Sequence, residues 1–310
     1  MKKCDHCGRD DRRQCYDSDL PDAAFAVIEP ILVNRPKAKA GRPMEYLWRD
    51  ILNTIFYLLR AGCQWRQLPH DLVKWWVAYR WFRALSKDGT WQTIHDELHR
   101  AVRAAEGRGP EPTACSLDAQ SVQSAEGGEQ IGFDKFKHCR GRKRNLVVDT
   151  LGFTCARTVT SATVSDRVAG RAVPAQAKDR HRDLAKGWID GGYANPVDTS
   201  IIDWADQTLG IDLEVVKRSD DVKGFAVIPW RWVVERTNAW VSAHRRCARD
   251  YERLVETPEA MIDLAMIDVM GNRLAGGTRW QNWRTLIGPE PTPDTGCSRR
   301  SARGHLRNTL

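Results

Sequence analysis

The sequence predicts an α/β fold with a mixed sheet, preceded by a small all-helical unit resembling a helix-turn-helix. Three observations carry that reading. Apolar residues recur at helical spacing from Ser18 to about His99. The stretch Glu106-Gly107-Arg108-Gly109-Pro110 then breaks the pattern in the manner of a domain boundary. Beyond it, apolar runs follow in the order three strands, helix, strand, strand, helix. The expected organisation is an extension over residues 1–17, a helical unit over 18–108, an α/β unit over 109–275 and a flexible basic tail over 276–310.

In the helical unit, Ser18 or Asp19 is placed to cap a first helix carrying Phe25, Ile28 and Ile31. The basic linker from Asn34 to Pro43 leads into a second helix carrying Leu47, Ile51, Leu52, Ile55, Leu58 and Leu59, with Gly62 as its C-cap. Leu68-Pro69-His70 forms a turn, and Asp71 is placed to cap a third helix. The rings of that helix, Trp75, Trp76, Tyr79, Trp81 and Phe82, suit a small helical core. The interleaved Lys74, Arg80, Arg83 and Lys87 suit phosphate contacts on the solvent side.

In the α/β unit, Thr113 to Val122 reads as a strand ending near Asp118. Asn145 to Asp149 and Phe153 to Thr160 form a hairpin about the turn Thr150-Leu151-Gly152. A helix is expected from about Arg167 to Lys186, strands from Gly187 to Tyr193 and from Leu213 to Lys217, and a long helix from Arg231 to Arg249.

With 42% hydrophobic and 28% charged residues the chain can bury a sizeable core, which excludes wholesale disorder and a fibrous repeat. No run approaches the roughly 18 apolar residues of a membrane span. Met1 to Cys15 is charged with no apolar stretch behind it, so neither a secreted nor a membrane protein is expected. Nine scattered cysteines do not suit a disulfide scaffold and point to a reducing, cytoplasmic setting. Cys4, His6, Cys7 and Cys15 hint at zinc, but the second half of a four-ligand site is missing.

The balance of 48 Lys+Arg against 40 Asp+Glu gives a formal charge of +8. Lys135, Lys137, Arg140, Arg142, Lys143 and Arg144 fall within ten residues without an acid. Such a run is either a solvated face or a contact for a polyanion such as nucleic acid. Asp118, in C-S-L-D, and Asp190, in W-I-D-G, lie in apolar strand patterns where an unpaired carboxylate is costly, so something positive is expected to meet them. Glu235 lies on the last helix, with Arg231 four residues before it on the same face. There the arginine can orient the acid or contact a phosphate; a surface ion pair worth about 0.3 kcal/mol is the plainer alternative. On an unbroken helix Arg246 returns to within about 20° of Glu235. Arg231, Glu235, Ser242 and Arg246 then share one face, with Arg245 near it.

The segments SDLPDAAFAVIEPIL, GCQWRQLPHDL, DGTWQTIHDEL, SLDAQSV, GRKRNLVVDTLG, WIDGGYA, KGFAVIPWRWVVERTNAW and RRCARDYERL together resemble the DDE transposases of bacterial insertion sequences, specifically the insertion-sequence-five family within the wider IS-four-type group. The resemblance runs from about Tyr16 to Ala275. It implies a ribonuclease-H-like mixed-sheet catalytic domain behind a helical DNA-binding domain. Asp118, Asp190 and Glu235 look like its metal-binding triad, and Arg231 like the arginine of the family's R-x-x-x-E signature, acting on the scissile phosphate. In that fold the first and fourth strands are neighbours, which sets Asp118 beside Asp190. Adjacent carboxylates repel unless they share a proton or a hard cation. The implied cofactor is Mg²⁺, two ions, with Mn²⁺ as a substitute. The implied reaction is cleavage at the element ends, then attack of the freed 3′-OH on target DNA. The implied partners are DNA, both terminal inverted repeats and target, and further copies of the chain, at least a dimer.

Two positions depart from the wider group's signature: its Tyr, three residues before the Arg, is Ile228, and its Lys, seven after the Glu, is Ser242. Arg245 or Arg246 is expected to supply the missing charge. Val73-Lys74 stands where many relatives have a proline-containing turn, and Trp76 where they tend to have a small polar residue. Two alternatives stay open at the level of sequence: a catalytically inactive DNA-binding remnant or repressor, and a ribonuclease-H-like nuclease that cuts without joining.

Overall fold

The computed structural model describes residues 16–36, 44–125, 127–194, 199–216 and 231–277. Cys4, His6, Cys7 and Cys15, the linker from 37 to 43, Ile228 and the tail beyond 277 lie outside the described residues.

Four helices come first: α1 (Asp22–Val33), α2 (Trp48–Ala61), α3 (Trp75–Lys87) and α4 (Thr90–Ala105). Gly62 ends α2 as expected, in the left-handed conformation at φ 69°, and its N–H returns to the Leu58 carbonyl. A side chain there would also strike the Arg245 Cβ at 2.7 Å, so the same glycine lets a later helix dock. The expected side-chain caps are not made. Pro21, whose ring presets φ, leads into α1 in place of Ser18 or Asp19. Lys74 precedes α3, while Asp71 accepts the Tyr16 hydroxyl at 2.9 and 3.0 Å.

One mixed sheet follows, from β1 (Ala114–Gln123), β2 (Gly132–Asp134), β3 (Cys139–Asp149), β4 (Thr154–Ser161), β5 (Lys186–Ile189) and β6 (Asp212–Val215). Its order is β2-β3-β1-β5-β6, with β4 also paired to β3. β1 pairs antiparallel with β3 and parallel with β5, and β5 parallel with β6. Setting aside the short β2, the expected first and fourth strands are therefore neighbours. Several bounds need correction: the strand expected to run to Tyr193 ends at Ile189, and the helix expected to reach Lys186 ends at Arg180. β1 does not stop near Asp118, because Ala119 through Gln123 keep pairing with Asn145 through Gly141. β3 starts at Cys139, drawing Arg140, Arg142, Lys143 and Arg144 of the basic run into the sheet.

α5 (Asp166–Arg180) covers one face of the sheet, and α6 (Ser200–Trp204) leads toward β6. On the other side lie α7 (Arg231–Ala243), α8 (Arg245–Ala248) and α9 (Glu256–Leu274). The single helix expected from Arg231 to Arg249 is broken at His244, whose ψ is 117°. Its ring is held at 2.9 Å from the Trp240 carbonyl and 3.0 Å from Asp268 of α9. A helix such as α9, buried almost all round, has no apolar stripe to announce it.

Two cores result. The smaller joins α5 to Leu117, Ala119, Val147, Ile189 and Leu213. The larger joins α1–α4 to α7, α9 and the face of β3 and β4 that carries Leu146, Val148 and Val159. The helical unit therefore does not close on itself but packs with the C-terminal helices. Buried polar groups tie α4 to the sheet: Asp149 meets His99 at 3.0 Å and Arg103, and His95 meets Thr154 at 2.7 Å. Among the described residues no helix is long and apolar enough to cross a membrane.

Candidate active site and nucleic-acid face

The last paired rows of β1 and β5 are Cys115 with Gly187 and Ser116 with Trp188. Two further rows set Asp118 opposite Asp190, just past the end of β5. α7 packs against β1 and brings Arg231 and Asn238 to the pair, with Glu235 between them on the same helical face, at spacings of four and three residues. Arg231 Nη2 lies 3.8 Å from Asp190 Oδ2, and its Nε 3.2 Å from Glu235 Oε1. Asn238 Nδ2 donates to Asp118 Oδ2 at 3.4 Å, and the Gly192 N–H to Asp190 Oδ1 at 2.7 Å. A cleft lined by Ser116, Asp118, Trp188, Asp190 and Arg231 opens between these elements.

The electrostatics follow from the crowding. Burial, reinforced by Asp190, pushes the Asp118 carboxyl up to about 6, although the Ala119 N–H, Lys137 and Arg231 pull it down. Burial likewise raises the Tyr193 phenol, with Asp118, Asp166 and Asp190 adding to the effect. Asp118 and Asp190 offer oxygen donors and a mutual repulsion that Arg231 and Lys137 only partly offset, both of which suit a hard divalent cation. Among the described residues no three His, Cys, Asp or Glu side chains converge as a ready-made metal centre; Glu235 is engaged by Arg231 instead. The residues present fit a hard cation at the aspartate pair, with Glu235 one guanidinium away.

Sequence reasoning missed two members of this neighbourhood. Asn238 was signalled by its spacing from Glu235 and Arg231. Lys137, counted only within a charge run, places its ammonium 2.9 Å from the carbonyl of Ala119, the residue after Asp118.

The basic run divides. Lys135, Lys137 and Arg140 are exposed, whereas Arg142, Lys143 and Arg144 are buried and engaged within the chain, which corrects the expectation that all six contact nucleic acid or share a solvated face. Arg142 donates to Asp250 and to the Glu129, Glu252 and Arg253 carbonyls, at 2.6 to 2.9 Å. Lys143 pairs with Asp166 at 2.8 Å, and Arg144 donates to the Cys247 carbonyl at 2.8 Å. A strand inside a sheet turns alternate side chains to each face, and here both faces are covered.

On α3, Lys74 and Arg80 are exposed beside Trp76 and Tyr79. Arg83 instead turns to α9, pairing with Glu256 at 2.7 Å and donating to Thr257 at 3.1 Å. The break at His244 removes Arg246 from the Glu235 face. It is buried, paired with Glu252 at 2.6 Å, and cannot replace the lysine absent at Ser242; Arg245 is exposed beyond the same break.

Residues 20–95 match the family model described as "Putative transposase of IS4/5 family", and residues 109–266 match the "Transposase DDE domain" model. The chain is also 26% identical, over 122 residues, to the "Insertion element IS402 uncharacterized 16.2 kDa protein" of Burkholderia cepacia, a match covering 36% of this chain and 78% of that protein. The helical region and the mixed sheet in ribonuclease-H-like order agree with these matches. With half of its length inside the DDE domain and the preceding region matched as well, the chain belongs to the DDE transposases of IS4/5-type insertion sequences.

Proposed function

We propose that the protein binds the terminal inverted repeats of its element, hydrolyses a phosphodiester at each end and joins the freed 3′-OH to target DNA. The observation that carries this reading is the placement of Asp118 opposite Asp190, with Arg231 set between Asp190 and Glu235. Asp118, Asp190 and Glu235 are the residues that would hold two Mg²⁺ ions, or Mn²⁺ in their place. When bound, such ions lower the pKa of the attacking hydroxyl and stabilise the leaving oxygen. Asn238 orients Asp118, and the Gly192 N–H orients Asp190. Arg231 offers its guanidinium to a non-bridging oxygen of the scissile phosphate, the forked contact for which arginine is suited. Each joining exchanges one phosphodiester for another, so no nucleotide cofactor is required.

DNA is gripped by exposed cations on two surfaces, Lys74 just before α3 with Arg80 on it, and Lys135 and Lys137 in the turn before β3 with Arg140 at its start. Two ends must be joined to one target, so the working form is at least a dimer on DNA, in the cytoplasm.

The test is a cleavage and joining assay on DNA carrying the flanking inverted repeats, with Mg²⁺, comparing wild type with Asp118→Ala, Asp190→Ala and Glu235→Ala. Wild type is expected to cut and join, and each variant to bind the ends and do neither. Binding without reaction in Mg²⁺ or Mn²⁺ would identify a DNA-binding remnant, and cutting without joined products a nuclease.

A further inference from the structure

Phe136 is 97% exposed, in a protein that buries Phe56, Phe82 and Phe153 completely. Its turn holds it outward. One oxygen of Asp134 accepts the N–H groups of Phe136 and Lys137, each at 3.0 Å, and the other accepts the Ser121 hydroxyl at 2.6 Å. A side chain that bonds the backbone two and three residues on fixes the direction of a turn. Lys137 closes the arrangement by donating to the carbonyl of Ala119, so the tip is tied to the strand segment that bears Asp118.

The surroundings select the partner. Lys135 and Lys137 flank the ring as exposed cations, Arg140 is exposed across the hairpin from a half-exposed Phe133 that lies edge-on to His138, and Asp134 is buried and engaged by the turn. Exposed aromatic rings set among cations are poorly suited to an apolar protein surface but match nucleic acid: the cations meet phosphates and the outermost ring meets the face of a base. Single apolar side chains that enter a base step also unstack it.

We propose that Phe136 stacks on a base beside the scissile phosphate and stabilises local opening of the duplex end, with Lys137 on an adjacent phosphate. The inference rests on the transposase reading above. It names the substrate form that site acts on, an end with one base displaced.

The test uses the full chain and terminal-repeat duplexes carrying 2-aminopurine at successive positions across the cleavage point, with Ca²⁺ replacing Mg²⁺. Wild type is expected to raise the fluorescence at one position next to the scissile bond. Phe136→Ala should lose that rise while keeping its affinity for the end within about threefold, and Phe136→Trp should keep it. In Mg²⁺, Phe136→Ala should cut the paired end roughly tenfold more slowly and recover when that base pair is replaced by a mismatch. Recovery on a mismatch separates stacking from loss of folding. A fluorescence rise that survives in Phe136→Ala overturns the proposal. So does a change of sedimentation without DNA at unchanged fluorescence, which would assign the ring to a second copy of the chain. The Ca²⁺ arm needs no chemistry: a rise without any cleavage in Mg²⁺ would refute the transposase reading and leave the stacking inference standing.

Discussion

Arg231, at the start of α7, reaches across to Asp190 at 3.8 Å, just beyond the end of β5. The contact ties α7 to the strands that carry the two aspartates and holds the guanidinium among carboxylates. Arg231→Ala is expected to lower single-turnover cleavage about 10²- to 10³-fold, the cost of removing one donor aimed at developing charge. Arg231→Lys should restore little, since an ammonium cannot form the forked contact. Because the pair is partly exposed, urea unfolding should shift by no more than about 1 kcal/mol. Wild-type cleavage by Arg231→Ala would remove the residue from the site.

The interior half of the basic run makes an opposite prediction. Arg142 and Asp250 are both almost fully buried, and the guanidinium also satisfies three backbone carbonyls. Arg142→Ala leaves the Asp250 charge and those carbonyls without their partner, at a cost of about 3–5 kcal/mol. Urea denaturation reads that loss directly. Lys135→Ala and Arg140→Ala should stay within about 0.5 kcal/mol of wild type and weaken DNA binding instead. If Arg142→Ala unfolds like wild type, the clasp has been misread.

That contrast shows what the sequence could and could not disclose. Gly62, the turn at Gly152 and the helical run from Arg231 to Ala243 were legible because each depends on a local rule, a cap, a turn residue or a helical period. The nearness of Asp118 and Asp190 followed from the strand order that the resemblance implied. The fates of Arg142 and Arg144 depend on Asp250 and Cys247, more than a hundred residues away, and a count of charges carries no such information. The helix break at His244 likewise depends on Asp268 of α9. It overturned the expected shared face of Glu235 and Arg246, which was sound geometry on a helix that does not continue.

His95 gives the molecule a pH dependence with a definite sign. Its ring is fully buried, and that burial lowers its pKa to about 4, helped by His99 and Arg180 and opposed by Asp96. At neutral pH it is uncharged, with Nδ1–H donating to Asp96 and Nε2 accepting from Thr154. Between pH 6.5 and about 4 the unfolded chain binds a proton that the folded chain refuses. The contribution to stability is therefore complete above pH 6.5 and lost as pH falls to about 4, with a slope of up to ~1.4 kcal/mol per unit. Urea unfolding at pH 7, 5.5 and 4.5 should show this slope, and His95→Gln should flatten it. Asp149, held low by His99 and Arg103 against its burial, acts with the same sign at lower pH.

The basic residues at and just before α3 fall into two classes, and Arg80 and Arg83, one turn apart, belong to different ones. Lys74 and Arg80 face solvent, while Arg83 is spent on Glu256 and Thr257 of α9. Each phosphate neutralised by a lysine or arginine contributes about 0.9 to the slope of log affinity against log salt. The double variant Lys74→Ala/Arg80→Ala should therefore weaken binding to the terminal repeat and reduce that slope by about 2. Arg83→Ala should leave the slope unchanged and cost no more than about 1 kcal/mol of stability, as its partner Glu256 is exposed. Filter binding between 50 and 200 mM salt, a range over which phosphate contacts dominate affinity, separates the two. A slope change in Arg83→Ala equal to that of either solvent-facing residue would mean that α3 turns on DNA and releases its hold on α9.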